Sequence, residues 1–218
     1  MIQTPKINLI HGDCMDLMRE TPDGYYDLAV VDPPYGIGKA LTTWSHTDKT
    51  LSKVSVGWDI VPDKEYFQEL MRVSKNQIIW GGNNFLLPPT NCFLIWEKPN
   101  KMHTLADCEY AWTSFSSPAK MARVNRVTKN KIHITQKPVA LYKWLLTNYA
   151  KPGDRILDSH GGSMSIAIAC FDLGFDLDLT ELDKDYYDAG VARFERHRAQ
   201  GQLFHAPATQ LPEQQKMF

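Results

Sequence analysis

Short apolar runs alternate with amphipathic stretches along the chain, the pattern of an α/β sheet with crossover helices. Ile7–His11 reads as a strand, Gly12-Asp13 ends it, and Cys14–Arg19 reads as a short helix. Asp27–Val31 is a second, buried strand that runs directly into Asp32-Pro33-Pro34-Tyr35. Gly36–Asp59 is polar and irregular and predicts a long mobile loop. Pro62 stands where a helix favours its first residue, and Tyr66, Phe67, Leu70, Met71 and Ser74 follow at helical spacing. Gln77–Trp80, Cys92–Trp96 and Glu109–Phe115 predict three more strands. Pro138 opens a helix with Tyr142, Leu145, Leu146 and Tyr149 on one face, and Pro152-Gly153 closes it. Arg155–Leu157 is a strand leading to Asp158. Ser163–Leu173 is a helix with Ile166, Ala169, Cys170 and Leu173 inward, and the strand from Phe175 ends at Glu181. Asp183 caps a last helix carrying Tyr187, Val191 and Phe194; periodicity fades from about Gln200.

The chain has 218 residues, 43% of them hydrophobic, enough for one well-formed core. Its 24 Lys and Arg against 25 Asp and Glu give a net charge of −1, so attraction to nucleic acid must come from a local patch. Such a patch exists in sequence: Lys120, Arg123, Arg126, Lys129, Lys131 and Lys137 fall between Tyr110 and Pro138 with no acid among them. The four scattered cysteines form no Cys-x-x-Cys pair, which predicts free thiols and no metal site. The start of the chain has no signal-peptide pattern, and no apolar run is long enough to span a bilayer. The expectation is a cytoplasmic protein, bacterial or phage-encoded, with no membrane partner. The six tryptophans read as core residues, with Trp44 and Trp58 in or beside the loop.

The strongest chemical signal is Asp32-Pro33-Pro34-Tyr35 after an apolar strand. The prolines have no N–H and fix φ, so the backbone is stiff and offers carbonyl acceptors without competing donors. Asp32 adds an acceptor and Tyr35 a flat face. Such a loop at the carboxyl end of a strand suits an –NH₂ group. Its two N–H bonds would go to the Asp32 side chain and the Pro33 carbonyl, and a ring would stack on Tyr35. Taken alone, the segment also makes a rigid turn. The second signal is the strand–turn–helix around Asp158-Ser159-His160-Gly161-Gly162-Ser163, where glycines allow close backbone approach to a ligand. Glu181, ending the next strand, can accept from both ribose hydroxyls of an adenosine-containing cofactor.

Together these residues resemble the amino-group DNA methyltransferases of permuted motif order, the β group, over roughly Ile7 to Phe194. Asp32-Pro33-Pro34-Tyr35 looks like the family's catalytic motif, and His133-Ile134-Thr135-Gln136-Lys137-Pro138 matches its segment before the cofactor turn. Gly12-Asp13-Cys14 is similar to the segment contacting the cofactor's adenine. Ile78–Asn83, Trp96-Glu97-Lys98 and Asp107–Trp112 follow the family's core. The resemblance implies a Rossmann-like methyltransferase fold with a mostly parallel seven-stranded sheet and helices on both faces. It implies S-adenosylmethionine as cofactor and transfer of a methyl group to a flipped base in DNA. The leading Asp points to adenine N6 over cytosine N4. Catalysis would rest on Asp32, Pro33, Pro34 and Tyr35. The cofactor would be held by Asp13, Cys14, Asp32, Thr135, Lys137, Asp158, Gly161, Gly162, Ser163 and Glu181. DNA would be held by Lys39, Lys120, Arg123, Arg126, Lys129 and Lys131. The methyltransferase domain is expected over residues 1–199, with 113–132 a short basic recognition segment, and 200–218 a flexible tail.

One departure stands out. Where the family turn carries its second glycine this chain has Met164, whose side chain would crowd the cofactor or force a different backbone. His133 reads as a structural hydrogen-bonding residue. The tail segments Gln200–Phe204 and Gln214–Phe218 loosely resemble the peptide that binds the bacterial replication sliding clamp, and the family favours a homodimer. Three other readings stay open: cytosine N4 as target, RNA as substrate, and a degenerate nucleic-acid-binding protein weakened at Met164. A nicotinamide dehydrogenase shares the turn-and-acid logic but leaves Asp-Pro-Pro-Tyr unexplained.

Overall fold

The computed structural model of the protein describes residues 4–36, 59–101, 103, 105–133 and 135–204. Lys39, the interior of the Gly36–Asp59 loop with Trp44 and Trp58, and the tail from residue 205 lie outside the described residues. Eight strands form one sheet: β1 (Ile7–His11), β2 (Tyr26–Val31), β3 (Ser74–Trp80), β4 (Phe93–Glu97), β5 (Cys108–Thr113), β6 (Lys120–Arg123), β7 (Arg155–Asp158) and β8 (Asp176–Glu181). Their order is β1-β8-β7-β2-β3-β5-β4-β6. Only β5 runs against the rest, pairing antiparallel with β3 and β4. The other neighbours pair in parallel. Seven strands therefore end at the same edge of the sheet, and the loops that leave them share one rim.

Among the described residues, five α-helices cover the two faces: α1 (Cys14–Glu20), α2 (Lys64–Val73), α3 (Val139–Tyr149), α4 (Ser165–Leu173) and α5 (Lys184–Phe204). The strand period of two decides which face each residue serves. Ala29, Val31 and Ile79 pack with Met18 of α1 and Tyr66, Leu70 and Val73 of α2. Leu28, Val30, Ile78 and Trp80 pack with α3, α4 and Phe194 of α5 on the other face. Trp80, Trp96 and Trp112 are core residues, and Trp144 packs against the core.

The sequence reading differs from the structure in five places. The sheet has eight strands, not seven: β6 carries a single buried apolar residue, Ala122, so its four residues give no strand pattern. α2 starts at Lys64, not Pro62, because the Asp63 carboxylate caps it by accepting from Tyr66 N at 3.0 Å. Ser74 begins β3 and is not the last helical position; its hydroxyl bonds back to the Leu70 carbonyl. Leu173 is exposed, because α4 buries every residue from Ser165 to Cys170 and emerges from the core only in its last turn. α5 continues to Phe204, past the point where apolar periodicity fades.

Met164 also behaves otherwise than expected. It takes the left-handed conformation a glycine would favour, at φ 54° and ψ 33°. Its side chain is fully buried in the core instead of standing in front of the turn. The room comes from Gly190 on α5: a Cβ there would lie 2.8 Å from Met164 Cγ, 3.0 Å from its Sδ and 3.2 Å from the Gly162 carbonyl oxygen. A left-handed non-glycine residue costs on the order of 1–2 kcal/mol, of the same size as the burial of one apolar side chain. Gly190→Ala should therefore destabilise the fold by about 1–3 kcal/mol although Ala is the better helix former. In a Met164→Ala background most of that loss should vanish. Urea denaturation of the two single variants and the double variant measures the coupling; equal effects of Gly190→Ala in both backgrounds would contradict it.

Candidate active site

The shared rim opens into a cleft of about 1450 Å³. It is lined after β1 by Asp13 and Cys14, after β2 by Asp32–Tyr35, and after β7 by Ser159–Ser163. Glu181 lines it at the end of β8, and Lys98, Glu109 and Arg126 line it beyond β3. The cleft thus crosses the sheet from β1 to β6, with β2 in the middle.

At the middle stands Asp32, with both carboxylate oxygens occupied. Oδ1 accepts from the Tyr35 hydroxyl at 2.5 Å and Oδ2 from the Lys137 ammonium. Lys137 is buried and also pairs with Glu109 at 3.2 Å, while Glu109 pairs in turn with Lys98. Burial alone would push the Lys137 amine down, but Asp32 and Glu109 outweigh it and hold it above its ordinary value. Burial likewise opposes ionisation of Glu109, and Lys137 and Lys98 reverse the sign, so its carboxyl lies below its ordinary value.

The Tyr35 ring lies on Gly81, just past β3. A Cβ at Gly81 would come within 2.2 Å of Tyr35 Cε1, and φ is +66°, so only glycine fits. The Tyr35 and Gly36 amides both donate to Asp59 Oδ1, at 3.1 and 3.0 Å. Tyr35 is therefore held at its hydroxyl, its ring and its backbone.

On the β1–β8–β7 side, the Asp13 side chain caps α1 through Met15 N at 2.9 Å. Burial first, and Asp13 second, push the Cys14 thiol up to about 12, so it is protonated and unreactive near neutrality. Glu181 accepts from Gly162 N at 2.6 Å and Asp183 N at 2.9 Å; burial raises its carboxyl. Gly161 must be glycine because a Cβ would strike Leu179 at 2.3 Å. Thr135 lines the cleft with its hydroxyl on His133 Nδ1 at 3.0 Å, and the His133 ring meets Tyr186 at 4.1 Å. Asp158 sits beneath the turn, buried, and accepts from His160 N at 3.0 Å.

The structure divides the basic segment. Lys120 begins β6, at the edge of the sheet opposite the cleft, beside Asn148 and the Tyr149 ring. Arg123 is exposed and 3.6 Å from Glu97, a partner that the acid-free local sequence does not reveal. Lys129 is exposed, Lys131 and Arg126 line the cleft, and Arg126 is buried. Sequence reasoning passed over Lys98, Glu109, Asp59 and His160 as site residues. The signal for Glu109 was a carboxylate inside an otherwise apolar strand. His160 shares a hydrogen-bond chain with Ser159 and Tyr66, at 2.9 and 2.7 Å.

Burial pushes Asp158 up to about 8, so the folded chain keeps a proton there that the unfolded chain releases near 3.8. Its contribution to stability falls as pH rises between those values. Burial pushes His133 and His160 down to about 4, so from 4 to 6.5 the unfolded chain binds the extra protons and stability rises with pH. Two histidines against one aspartate place the maximum for these three groups near pH 6.5. Asp158→Asn should remove the decline above it, which reaches at most about 1.4 kcal/mol per pH unit in the native protein. Denaturation midpoints from pH 6.5 to 8 test this, and parallel declines in both proteins would refute it.

The chain matches the family model described as a DNA methylase of the N6/N4 methyltransferases over residues 88–192. That stretch includes the His133–Pro138 turn and the glycine turn; the Asp32–Tyr35 loop lies outside it, on the strand bonded between β7 and β3. Among solved structures, M1.HpyAVI in its SAM complex is 19% identical with a TM-score of 0.57, over 86% of this chain and 99% of that one. PvuII DNA methyltransferase, cytosine-N4-specific, is 14% identical with a TM-score of 0.60, over 90% and 92%. At such identities the likeness establishes the Rossmann-like methyltransferase fold, and the family match takes in the rim residues after β4, β5, β7 and β8. Over residues 88–192 the chain matches the N6/N4 family of DNA methylases, and as a whole it has the fold of an S-adenosylmethionine-dependent methyltransferase.

Proposed function

We propose that the protein methylates N6 of an adenine flipped out of DNA, with S-adenosylmethionine as the methyl donor. The observation that carries this reading is the convergence of the Asp32–Tyr35 loop, the Gly161–Gly162 turn and Glu181 on one cleft, from the neighbouring strands β2, β7 and β8.

The residues present fit the cofactor. Glu181 is fixed by two backbone N–H groups and still has lone pairs for the two ribose hydroxyls. Asp13 and Cys14 stand at the adenine end, and Gly161, Gly162, Ser163 and Thr135 form the adjoining wall. Met164 points into the core and leaves that wall free, which removes the main support for a degenerate binding protein. Asp158 and Lys137 serve from behind: Asp158 under the turn, Lys137 on Asp32 and Glu109. When bound, S-adenosylmethionine supplies the methyl group from its sulfonium.

The chain's own work is positioning and polarisation. The target amine presents two N–H groups to the Asp32 carboxylate and the Pro33 carbonyl, which turns its lone pair toward the donor. Lys137 fixes the carboxylate, and Tyr35, seated on Gly81, offers its ring to the base. A base inside a duplex cannot reach this cleft, so it must leave the stack at a cost of about a few kcal/mol. Lys131, Lys129 and Arg123 stand near the rim for the strand's phosphates; Lys120, at the far edge, does not join them.

Purified protein incubated with the cofactor and unmethylated DNA should yield N6-methyladenine on mass spectrometry of the digested nucleosides. Asp32→Ala should lower the rate about a hundredfold or more. N4-methylcytosine would replace the base, and methylation of RNA alone would replace the polymer.

A further inference from the structure

The cleft is electrically divided. Asp13, Glu181 and Asp183 line the end near β1 and β8, while Lys98 and Arg126 line the end near β4 and β6. Lys98 is neutralised by Glu109. Arg126 is different: it is only 8% exposed and has no carboxylate partner among the described residues.

Its backbone is fixed from both sides by one side chain. Asn100 Oδ1 accepts from Arg126 N at 2.8 Å, and Asn100 Nδ2 donates to the Arg126 carbonyl at 3.1 Å. The loop behind it is anchored where Trp96 Nε1 donates to the Val124 carbonyl at 2.7 Å. Within the guanidinium, Nη2 donates to the Ala106 carbonyl at 3.2 Å, and Nε is buried with no acceptor. A guanidinium has five N–H donors and a permanent charge, so most of this head's capacity is unused. A buried cation without a counter-charge is unfavourable unless a ligand supplies one. Lys129 and Arg123 are exposed and can follow a backbone in many poses; Arg126 is held in one.

We infer that Arg126 is the binding site for the phosphodiester next to the flipped nucleotide, so that it fixes the strand at the catalytic motif where the surface lysines only attract it. This rests on the methyltransferase reading above. A planar fork matches two phosphate oxygens, and its place on the wall beyond Glu109 sets it on the side of Asp32 away from the glycine turn.

The test compares native protein, Arg126→Gln and Arg126→Lys on a duplex the native protein methylates, with and without a neutral methylphosphonate at single phosphates flanking the target. Cofactor binding is followed by calorimetry. Arg126→Gln should raise KM for DNA about tenfold, lower the slope of log affinity against log salt by about 0.9, and leave cofactor affinity unchanged. At one flanking position the methylphosphonate should impair the native protein about as much as the substitution does, and should not impair Arg126→Gln further. Arg126→Lys keeps the charge and guards against a folding defect; it should keep the salt slope while raising KM by only part of the effect of Arg126→Gln. Additive losses at every flanking position would overturn the inference, as would loss of cofactor affinity with an unchanged salt slope. If the native protein methylates no nucleic acid, the functional reading fails instead. The salt slope for duplex binding, measured without turnover, then decides Arg126 alone.

Discussion

Lys137 is a buried cation set between two carboxylates, and much of the site's geometry follows from it. An isolated ammonium in that position would be strongly unfavourable, and removing either acid would leave an uncompensated charge. Asp32 comes from the end of β2, Glu109 from β5, and Lys137 from the turn that starts α3. Three distant segments must therefore meet at one point for any of the three charges to be matched. Lys98 extends the chain of alternating charge to the end of β4. The network fixes Asp32 from behind, while the Tyr35 hydroxyl occupies its other oxygen and the Tyr35 ring rests on Gly81. The Asp32–Tyr35 loop is stiff through its two prolines, and its direction is set by this charge pattern.

Much of the fold was legible because the strands of a mostly parallel sheet are short apolar runs that end in polar or glycine-rich turns. β1, β2, β7 and β8 all show this, and each of their exits carries a site residue. β6 was hidden because an edge strand with one buried residue has no periodicity to display. The candidate site was legible where chemistry and backbone coincide: Asp32–Tyr35, the Gly161–Gly162 turn and Glu181, singled out in the sequence, line one cleft. It was hidden where a residue's role depends on long-range partners. Glu109 looks like a stray charge until Lys137 and Lys98 flank it. Arg123 and Arg126 look equivalent until Glu97 is found beside one and, among the described residues, no acid pairs with the other.

Met164 shows the same limit from another side. Local sequence identifies a missing glycine and implies obstruction. The structure keeps the left-handed backbone and turns the side chain into the core, against a glycine 26 positions later in the chain. The face toward the cleft is preserved because the volume was accommodated elsewhere.

The strand order also has a consequence for how the chain comes into being. β2 is an almost wholly buried run, yet one of its two neighbours, β7, pairs with it across 128 positions of sequence. On a ribosome adding about 5–20 residues per second, β2 is made roughly 6–25 s before the strand that covers that edge. During that interval β2 presents an unpaired apolar edge, the form of surface most prone to pair with another chain. The order that places the Asp32–Tyr35 loop before the Gly161–Gly162 turn thus leaves the nascent protein open to aggregation until β7 has emerged.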